Sequence, residues 1–311
     1  MAVTAGMVKE LREMTGAGMM DCKKALAETN GNMEEAVEFL RKKGQAKADT
    51  KANRIAAEGI CKIAVSGEKV AAVVEVNSET DFVAKNEQFQ SFVGQVAEQV
   101  MNGSYADVDA LLAAQFAADA SKTVKEALVE KIATIGEKLS IRRFAKVEAE
   151  NGCVVTYTHG GGRIGVIVEA DTDVINDAIK EAMSNVAMQV AALYPKYVSK
   201  DEIDAGYIEH EKEIIKAQIM NDPKESQKPE RVIEGMIAGR INKELKEICL
   251  VDQIYVKAED GKQTVGQYIA QVAKENNANF SIKKFVRFET GEGLEKKNED
   301  FAAEVAKQMG M

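Results

Sequence analysis

The sequence contains no tryptophan, aromatic residues make up only 5% of its 311 positions, and three prolines and two histidines are its whole supply of each. Large aromatic anchors are therefore scarce, and the cores must be built from the plentiful Ala, Val, Ile and Met. No run approaches the roughly 18 apolar residues of a membrane span, and the opening MAVTAGMVKELREMTG is charged where a signal peptide is apolar. A cytoplasmic protein with no membrane partner is expected. Cys22, Cys61, Cys153 and Cys249 lie far apart, without a CxxC pair or a neighbouring histidine, which excludes a local zinc set and leaves buried thiols. Basic residues are in the minority: 41 Lys plus Arg face 50 Asp plus Glu, for a formal charge of -9, so nucleic acid is a poor direct partner. His159 and His210 stand apart with no cysteine near either, giving a histidine-based catalytic dyad no local support.

What is present begins with three short helical patterns. Val3, Met7, Val8, Leu11 and Met14 recur at helical spacing up to Thr15-Gly16-Ala17-Gly18; Met19, Cys22 and Leu26 follow up to Asn30-Gly31-Asn32; Met33, Ala36, Val37 and Leu40 run until about Gly44. This predicts a small three-helix bundle of a kind suited to binding proteins. From Gly44 to Arg54 large apolar residues vanish, as in a linker or an exposed helical arm. Gly59 to Val65 and Val70 to Val76 then predict two strands joined by a hairpin turn at Ser66-Gly67-Glu68-Lys69, followed by a helix with Phe89, Phe92, Val93, Val96 and Val100 on one stripe.

Two distant segments repeat this chemistry. Ser140-Ile141-Arg142-Arg143-Phe144 parallels Ser281-Ile282-Lys283-Lys284-Phe285, and Val70 to Val76 parallels Ile164 to Ala170, each followed by a helical stretch. Two copies of a hairpin, helix and edge-strand unit are expected, with chance similarity among aliphatic strands as the competing account. All three prolines, Pro195, Pro223 and Pro229, fall inside the second copy. They bracket two further helical patterns, Ile203, Tyr207, His210, Ile214, Ala217 and Ile233, Ile237, Ile241, Leu245, which predict an inserted antiparallel helical hairpin.

Most candidate chemistry fails on context. His159-Gly160-Gly161-Gly162-Arg163-Ile164-Gly165 matches an esterase oxyanion tetrad and the GxGxxG spacing, but strand-like runs flank it on both sides and the chain has no GxSxG elbow. A tight hairpin is the simpler reading, with His159 at its mouth free to touch a partner. Gly261-Lys262-Gln263-Thr264 is no P-loop, so no bound nucleotide or other cofactor is expected. The remaining candidate is Ser78-Glu79-Thr80-Asp81-Phe82-Val83-Ala84-Lys85-Asn86, at a join between strand and helix. Thr80 or Asp81 could cap the helix over Phe82 and Val83 as core residues. Alternatively, Asp81 and Phe82 project as an acid-plus-aromatic probe into another protein.

At this segment the chain resembles the elongation factor Ts family. The motif TDFVAKN, Thr80 to Asn86, is similar to that family's central signature, and so are TGAGMMDCKKAL, Thr15 to Leu26, HGGGRIGV, His159 to Val166, and FETGEGLEKKNEDFAAEVAKQM, Phe288 to Met309. The resemblance favours the probe reading. It implies an α+β protein: a three-helix module similar to ubiquitin-associated domains at 1-44, a linker at 45-58, and a core of two related α+β subdomains at 59-149 and at 150-194 with 249-289. An antiparallel coiled-coil hairpin at 195-248 and a C-terminal helical module at 290-311 complete it. It further implies a guanine-nucleotide exchange factor, not an enzyme, whose partner is elongation factor Tu. Thr80, Asp81, Phe82 and Val83 would disturb that partner's Mg²⁺ site so that GDP leaves. Arg12, Met19 and Met20, together with Ile135, Gly136 and His159, resemble its other partner contacts, and the helix Asp300 to Gln308 its terminal clasp. In some relatives the inserted hairpin mediates dimer formation. A passive adaptor with no effect on nucleotide is the alternative.

Overall fold

The computed structural model describes residues 3–296, so the Asp300 to Gln308 helix and the contacts of the C-terminal module beyond Lys296 lie outside the described residues. Helix α1 (Ala5–Thr15) starts where the Thr4 hydroxyl accepts the Met7 N–H and stops at Gly16, whose φ of 66° turns the chain left-handed. Helices α2 (Met19–Glu28) and α3 (Met33–Lys51) close over Leu11, Cys22, Ala25, Leu26 and Ala36. Asp21 ties α2 to α3 through Lys43 at 2.6 Å and Lys47 at 2.9 Å, and these hydrogen bonds hold its carboxyl below the usual range. The third helix does not end near Gly44. That glycine is buried, and even a Cβ there would lie 3.4 Å from the Ala133 side chain, so of the two readings of the stretch after Gly44 the helical arm holds as far as Lys51, packed at Gly44 and largely exposed beyond it.

Next come strands β1 (Glu58–Ser66) and β2 (Val70–Ser78), the one-turn helix α4 (Asp81–Ala84), and the long helix α5 (Glu87–Asn102). Helix α6 (Val108–Ala113), the small hairpin of β3 (Gln115–Phe116) and β4 (Asp119–Thr123), and helix α7 (Val124–Ile135) lead to β5 (Ser140–Glu148). The antiparallel sheet is ordered β1-β2-β5. Strands β6 (Cys153–His159) and β7 (Ile164–Thr172) follow, then α8 (Asp177–Leu193), α9 (Ala205–Asn221), α10 (Glu230–Ile248), α11 (Val265–Glu275) and β8 (Phe280–Glu289), giving a second antiparallel sheet ordered β6-β7-β8.

Alternation along the strands explains how the two sheets stack. Ala72, Val74 and Val76 face the core under α5, while Ala71 and Val73 point the other way, into a cluster with Ile167 and Val154 of the second sheet. Val166, Val168 and Ala170 face α8 and α11. Both central strands are thus buried on both faces, which is why they read as unbroken aliphatic runs. Gly165 permits the closest approach: a Cβ there would lie 3.0 Å from Val73 and 3.2 Å from Cys61. All four cysteines are buried and free, and burial pushes the Cys61 thiol up to about 11.

The repeat is present in three dimensions, down to its irregularities. β5 bulges at Arg142, opposite Glu75 and Val76 of β2, and β8 bulges at Lys283, opposite Glu169 and Ala170 of β7. Each bulge sets a buried glutamate against two cations, Glu75 against Arg142 and Arg143, Glu169 against Lys283 and Lys284. Both helices that precede the third strand, α7 and α11, carry a capping box, Thr123 with Glu126 and Thr264 with Gln267.

Helices α9 and α10 lie side by side, with the Tyr207 hydroxyl donating to Glu244 near the opposite end of α10. The apolar seam is shifted from the spacing read in the sequence: Ile215 and Ile219 are buried with Ile241 and Leu245, whereas His210 and Ile214 are exposed. Among the described residues, no helix is long and apolar enough to cross a membrane.

Candidate functional site

Phe82 is the most conspicuous side chain on the surface: it is 81% exposed, more than any other large hydrophobic residue described. The turn that carries it is held from behind. Thr80 caps α4, its hydroxyl accepting the Val83 N–H, and Val83 and Ala84 are buried in the core beneath α5. Of the two readings of this segment, Val83 thus follows the core one and anchors the turn, whereas Phe82 points outward. Asp81 is exposed and pairs with Lys85 one turn on, at 2.7 Å; that hydrogen bond lowers its pKa, so the carboxylate is charged at neutral pH.

A second set of bonds fixes the turn from below. Glu137, just past the left-handed Gly136 that ends α7, accepts the N–H groups of Glu79 (3.1 Å) and Thr80 (3.0 Å) and the Thr80 hydroxyl (2.7 Å). Glu79 reaches back, accepting the Lys138 N–H at 2.6 Å, and pairs with Arg54 at 3.3 Å. The loop after β2 and the loop after α7 are therefore laced together by two carboxylates. The second copy uses the same device once, where Asp173 accepts the Asn279 N–H at 2.8 Å. Charge-assisted bonds to backbone N–H groups are among the stronger kind, so the aromatic ring of Phe82 sits on a preorganised base. Glu137→Ala is expected to leave three donors unpaired and loosen the turn by roughly 1–3 kcal/mol, read as faster amide exchange confined to residues 79–84.

The other expected site residues divide by element. Ile135 packs on the core and Gly136 is exposed, so the α7 corner and the Phe82 turn meet through Glu137. Arg12, Met19 and Met20 lie at the corner of α1 and α2; all three are exposed, the methionines at 60% and 74%. Met14, absent from the sequence-based set, joins them at 63%. Its signal was its place at the end of α1, immediately before a left-handed turn. His159 is exposed on the β6–β7 hairpin, its Nδ1 3.1 Å from the Tyr157 hydroxyl. The glycines beside it do make a turn, with φ of 58°, 66° and 104° at Gly160, Gly161 and Gly162, and the Gly162 carbonyl accepts the Cys61 N–H of β1 at 2.7 Å.

Glu79, Glu137 and Lys85 are the residues that sequence reasoning passed over. The first was legible in the repeat: Glu79 aligns with Asp173 and Lys138 with Asn279 when the two copies are superposed on their strands. Among the described residues, no group of three or more His, Cys, Asp or Glu side chains is placed to hold a metal ion. The geometry offers a rigid apolar projection beside a fixed negative charge, backed by exposed methionines on a separate unit. Exposed apolar side chains held in place in this way have the chemistry of a contact surface for another macromolecule.

Comparison with known proteins gives the same family by two routes. The family model described as Elongation factor TS matches residues 79–292. The elongation factor Ts of Clostridium perfringens is 51% identical over 309 residues, covering 99% of each chain, and that of Clostridioides difficile is 52% identical over 308 residues, again 99% of each. The elongation factor Ts of Trichlorobacter lovleyi is 49% identical over 316 aligned positions, covering 100% of both.

Proposed function

This chain belongs to the elongation factor Ts family, and on that premise we propose that it serves translation elongation in the cytoplasm as a guanine-nucleotide exchange factor for elongation factor Tu, acting by binding and not as an enzyme. The observation that carries the reading is Phe82, a largely exposed aromatic side chain on a turn locked by Glu137, Glu79 and the buried Val83. A ring that water surrounds in the free chain gains about 1.5–3 kcal/mol when a partner buries it. Asp81 beside it places a carboxylate where a partner holds a magnesium diphosphate, and like charges compete for the same cation.

The mechanism is differential binding. A factor that prefers the nucleotide-free partner must weaken GDP by the ratio in which GDP weakens the factor. Loosening GDP a hundredfold to ten-thousandfold needs roughly 2.7–5.5 kcal/mol, of which one ring covers at most the lower end. Met14, Met19, Met20 and Arg12 on the α1–α2 corner supply further surface, as do Ile135, Gly136 and His159. In this reading α1 to α3 form a module like ubiquitin-associated domains, which places the methionines on the partner's nucleotide domain. In the same reading the α9–α10 pair is a coiled-coil hairpin available for pairing with a second copy.

The test is release of a fluorescent GDP analogue from purified elongation factor Tu at saturating chain. A large acceleration is expected. An unchanged release rate with demonstrable binding would instead establish the passive adaptor.

A further inference from the structure

Two exposed apolar groups stand on different units of this chain: Met14, Met19 and Met20 at the α1–α2 corner, and Phe82 on its turn. A partner that covers both meets them in a fixed arrangement only if something rigid joins the two units. Helix α3 reaches from one to the other, its 19 residues running about 28 Å. Its first half closes with α1 and α2 over Leu26 and Ala36. Its second half is gripped on two faces. On one, Lys43 and Lys47 donate to Asp21, the residue directly after Met19 and Met20. On the other, Gly44 lies against Val129 and Ala133 of α7, and Ala48, one turn on, packs on the core beneath α5. Just past the helix, the Arg54 guanidinium pairs with Glu79, and the Arg54 carbonyl accepts Lys138 Nζ at 2.8 Å.

Helix α7 makes the second connection. Its middle seats Gly44, and Glu137, just past its end, accepts the N–H groups of Glu79 and Thr80 beneath Phe82. A path therefore runs from Met20 to Phe82 through Asp21, α3, α7 and Glu137, each link a hydrogen bond or a packed contact.

Beside this crossing the two units part around a cavity of about 560 Å³, lined by Met14, Val37 and Leu40 on one wall and by Lys122, Glu126 and Glu130 on the other. Lys122 pairs with Asp119 and Glu130 of its own wall, as Lys43 and Lys47 do with Asp21 of theirs. Shape rather than charge thus sets how α3 lies on α7. That shape depends on Gly44: with no side chain there, the helices approach until a Cβ would sit 3.4 Å from the Ala133 Cβ and 3.7 Å from Val129 Cγ1.

We infer that the crossing of α3 on α7 at Gly44 is a positioning contact, which holds the methionine corner at a fixed distance and angle from Phe82 so that one partner engages both at once. The inference deepens the exchange reading above and rests on it for the partner. The physics is effective concentration: once Phe82 is seated, a corner already in place binds in an intramolecular step, whereas a corner that swings free must be ordered first.

The test opens the crossing from either side. Gly44→Leu wedges a side chain into it from α3, and Ala133→Leu does so from α7, deciding the matter where the first variant fails to fold; Gly44→Ala, whose Cβ makes an ordinary contact, is the control. Because all four native cysteines are buried, nitroxide labels go onto Lys23→Cys in α2 and Ser91→Cys in α5, both exposed positions. Double electron–electron resonance should give a narrow distance distribution in the labelled parent and in Gly44→Ala, and a broadened or displaced one in both leucine variants. In the nucleotide-release assay, the chain concentration for half-maximal acceleration should rise about tenfold in the leucine variants and stay in place in Gly44→Ala. Met19→Ala with Met20→Ala should raise that concentration about tenfold in the parent, but less than about twofold when added to Gly44→Leu or Ala133→Leu, since a displaced corner has little left to lose. A distance that neither leucine variant moves overturns the inference. So does a displaced distance with an unmoved half-maximal concentration, and so does a methionine effect that keeps its full size in the leucine variants. Failure of the wild-type chain to accelerate release would reject the exchange reading instead, and the label distances would still decide whether the crossing holds the module.

Discussion

Phe82→Ala should slow chain-stimulated GDP release from elongation factor Tu by about 10- to 100-fold at subsaturating chain, while the variant melts within a degree or so of the wild type. Both halves follow from exposure. A ring that is 81% in water contributes almost nothing to folding, so its loss costs the free chain little. In a complex the same ring loses its water, and the corresponding 1.5–3 kcal/mol converts to roughly one to two powers of ten. Val83→Ala is the contrasting substitution, because Val83 is buried beneath the turn. It should destabilise the chain by roughly 1–2 kcal/mol and slow release only as far as the turn loosens. If Phe82→Ala retains full activity, the probe role assigned to this residue is wrong, whatever the family. Asp81→Ala should add to the loss, since Lys85 then no longer has a carboxylate to hold toward the partner.

The largest stability effect is expected at Glu75. Glu75→Ala removes the carboxylate that satisfies two guanidinium groups, an amide and the Gly291 N–H, and leaves Arg142 and Arg143 uncompensated at a sheet–sheet junction. Breaking a buried ion pair from one side costs about 3–5 kcal/mol, and the arginines, 24% and 30% exposed, place the expected cost near the lower end. Glu169→Ala, its twin in the repeat, should cost roughly 1 kcal/mol, because Lys283 and Lys284 are 39% and 49% exposed and can swing their ammonium groups into water. Denaturant midpoints of the two variants, measured side by side, check the difference. Equal costs would show that the arginine network adds nothing beyond an ordinary ion pair.

Much of the fold was legible residue by residue. The β1–β2 hairpin, the stripe of α5 and the two helices bracketed by the prolines follow from local periodicity and turn chemistry, and the structure has each in the stretch where the pattern put it. The repeat was legible as well, because strands buried on both faces keep their aliphatic order. The choice at Gly44 was open: a glycine and a sparse apolar pattern fit a linker or a helical arm equally, and the Val129 and Ala133 side chains across from Gly44 favour the continued helix. The seam of α9 was misjudged by one position because Ile214 and Ile215 are adjacent and either could begin a stripe; packing against Ile241 and Leu245 selects the second.

At the site, the signature residues Thr80 to Val83 were visible but their roles were not. Phe82 and Val83 are neighbouring apolar residues that composition cannot tell apart; which is buried depends on the rotation of a single helical turn. Glu79 and Glu137 set that rotation, from positions far apart along the chain.

The sequence by itself determined the aliphatic cores, the twofold repeat, the absence of nucleotide and zinc motifs, and the family. These are properties of composition, order and spacing, and they survive without coordinates. Only the tertiary structure decided which apolar residue faces water, that a glutamate after α7 locks the turn that presents it, and that Glu289, Gly291 and Glu292 are fastened to Glu75 and its two arginines. Each of these depends on contacts between residues tens to hundreds of positions apart, where the hydrogen-bonding direction and the burial of a charge are set by neighbours that no local pattern names.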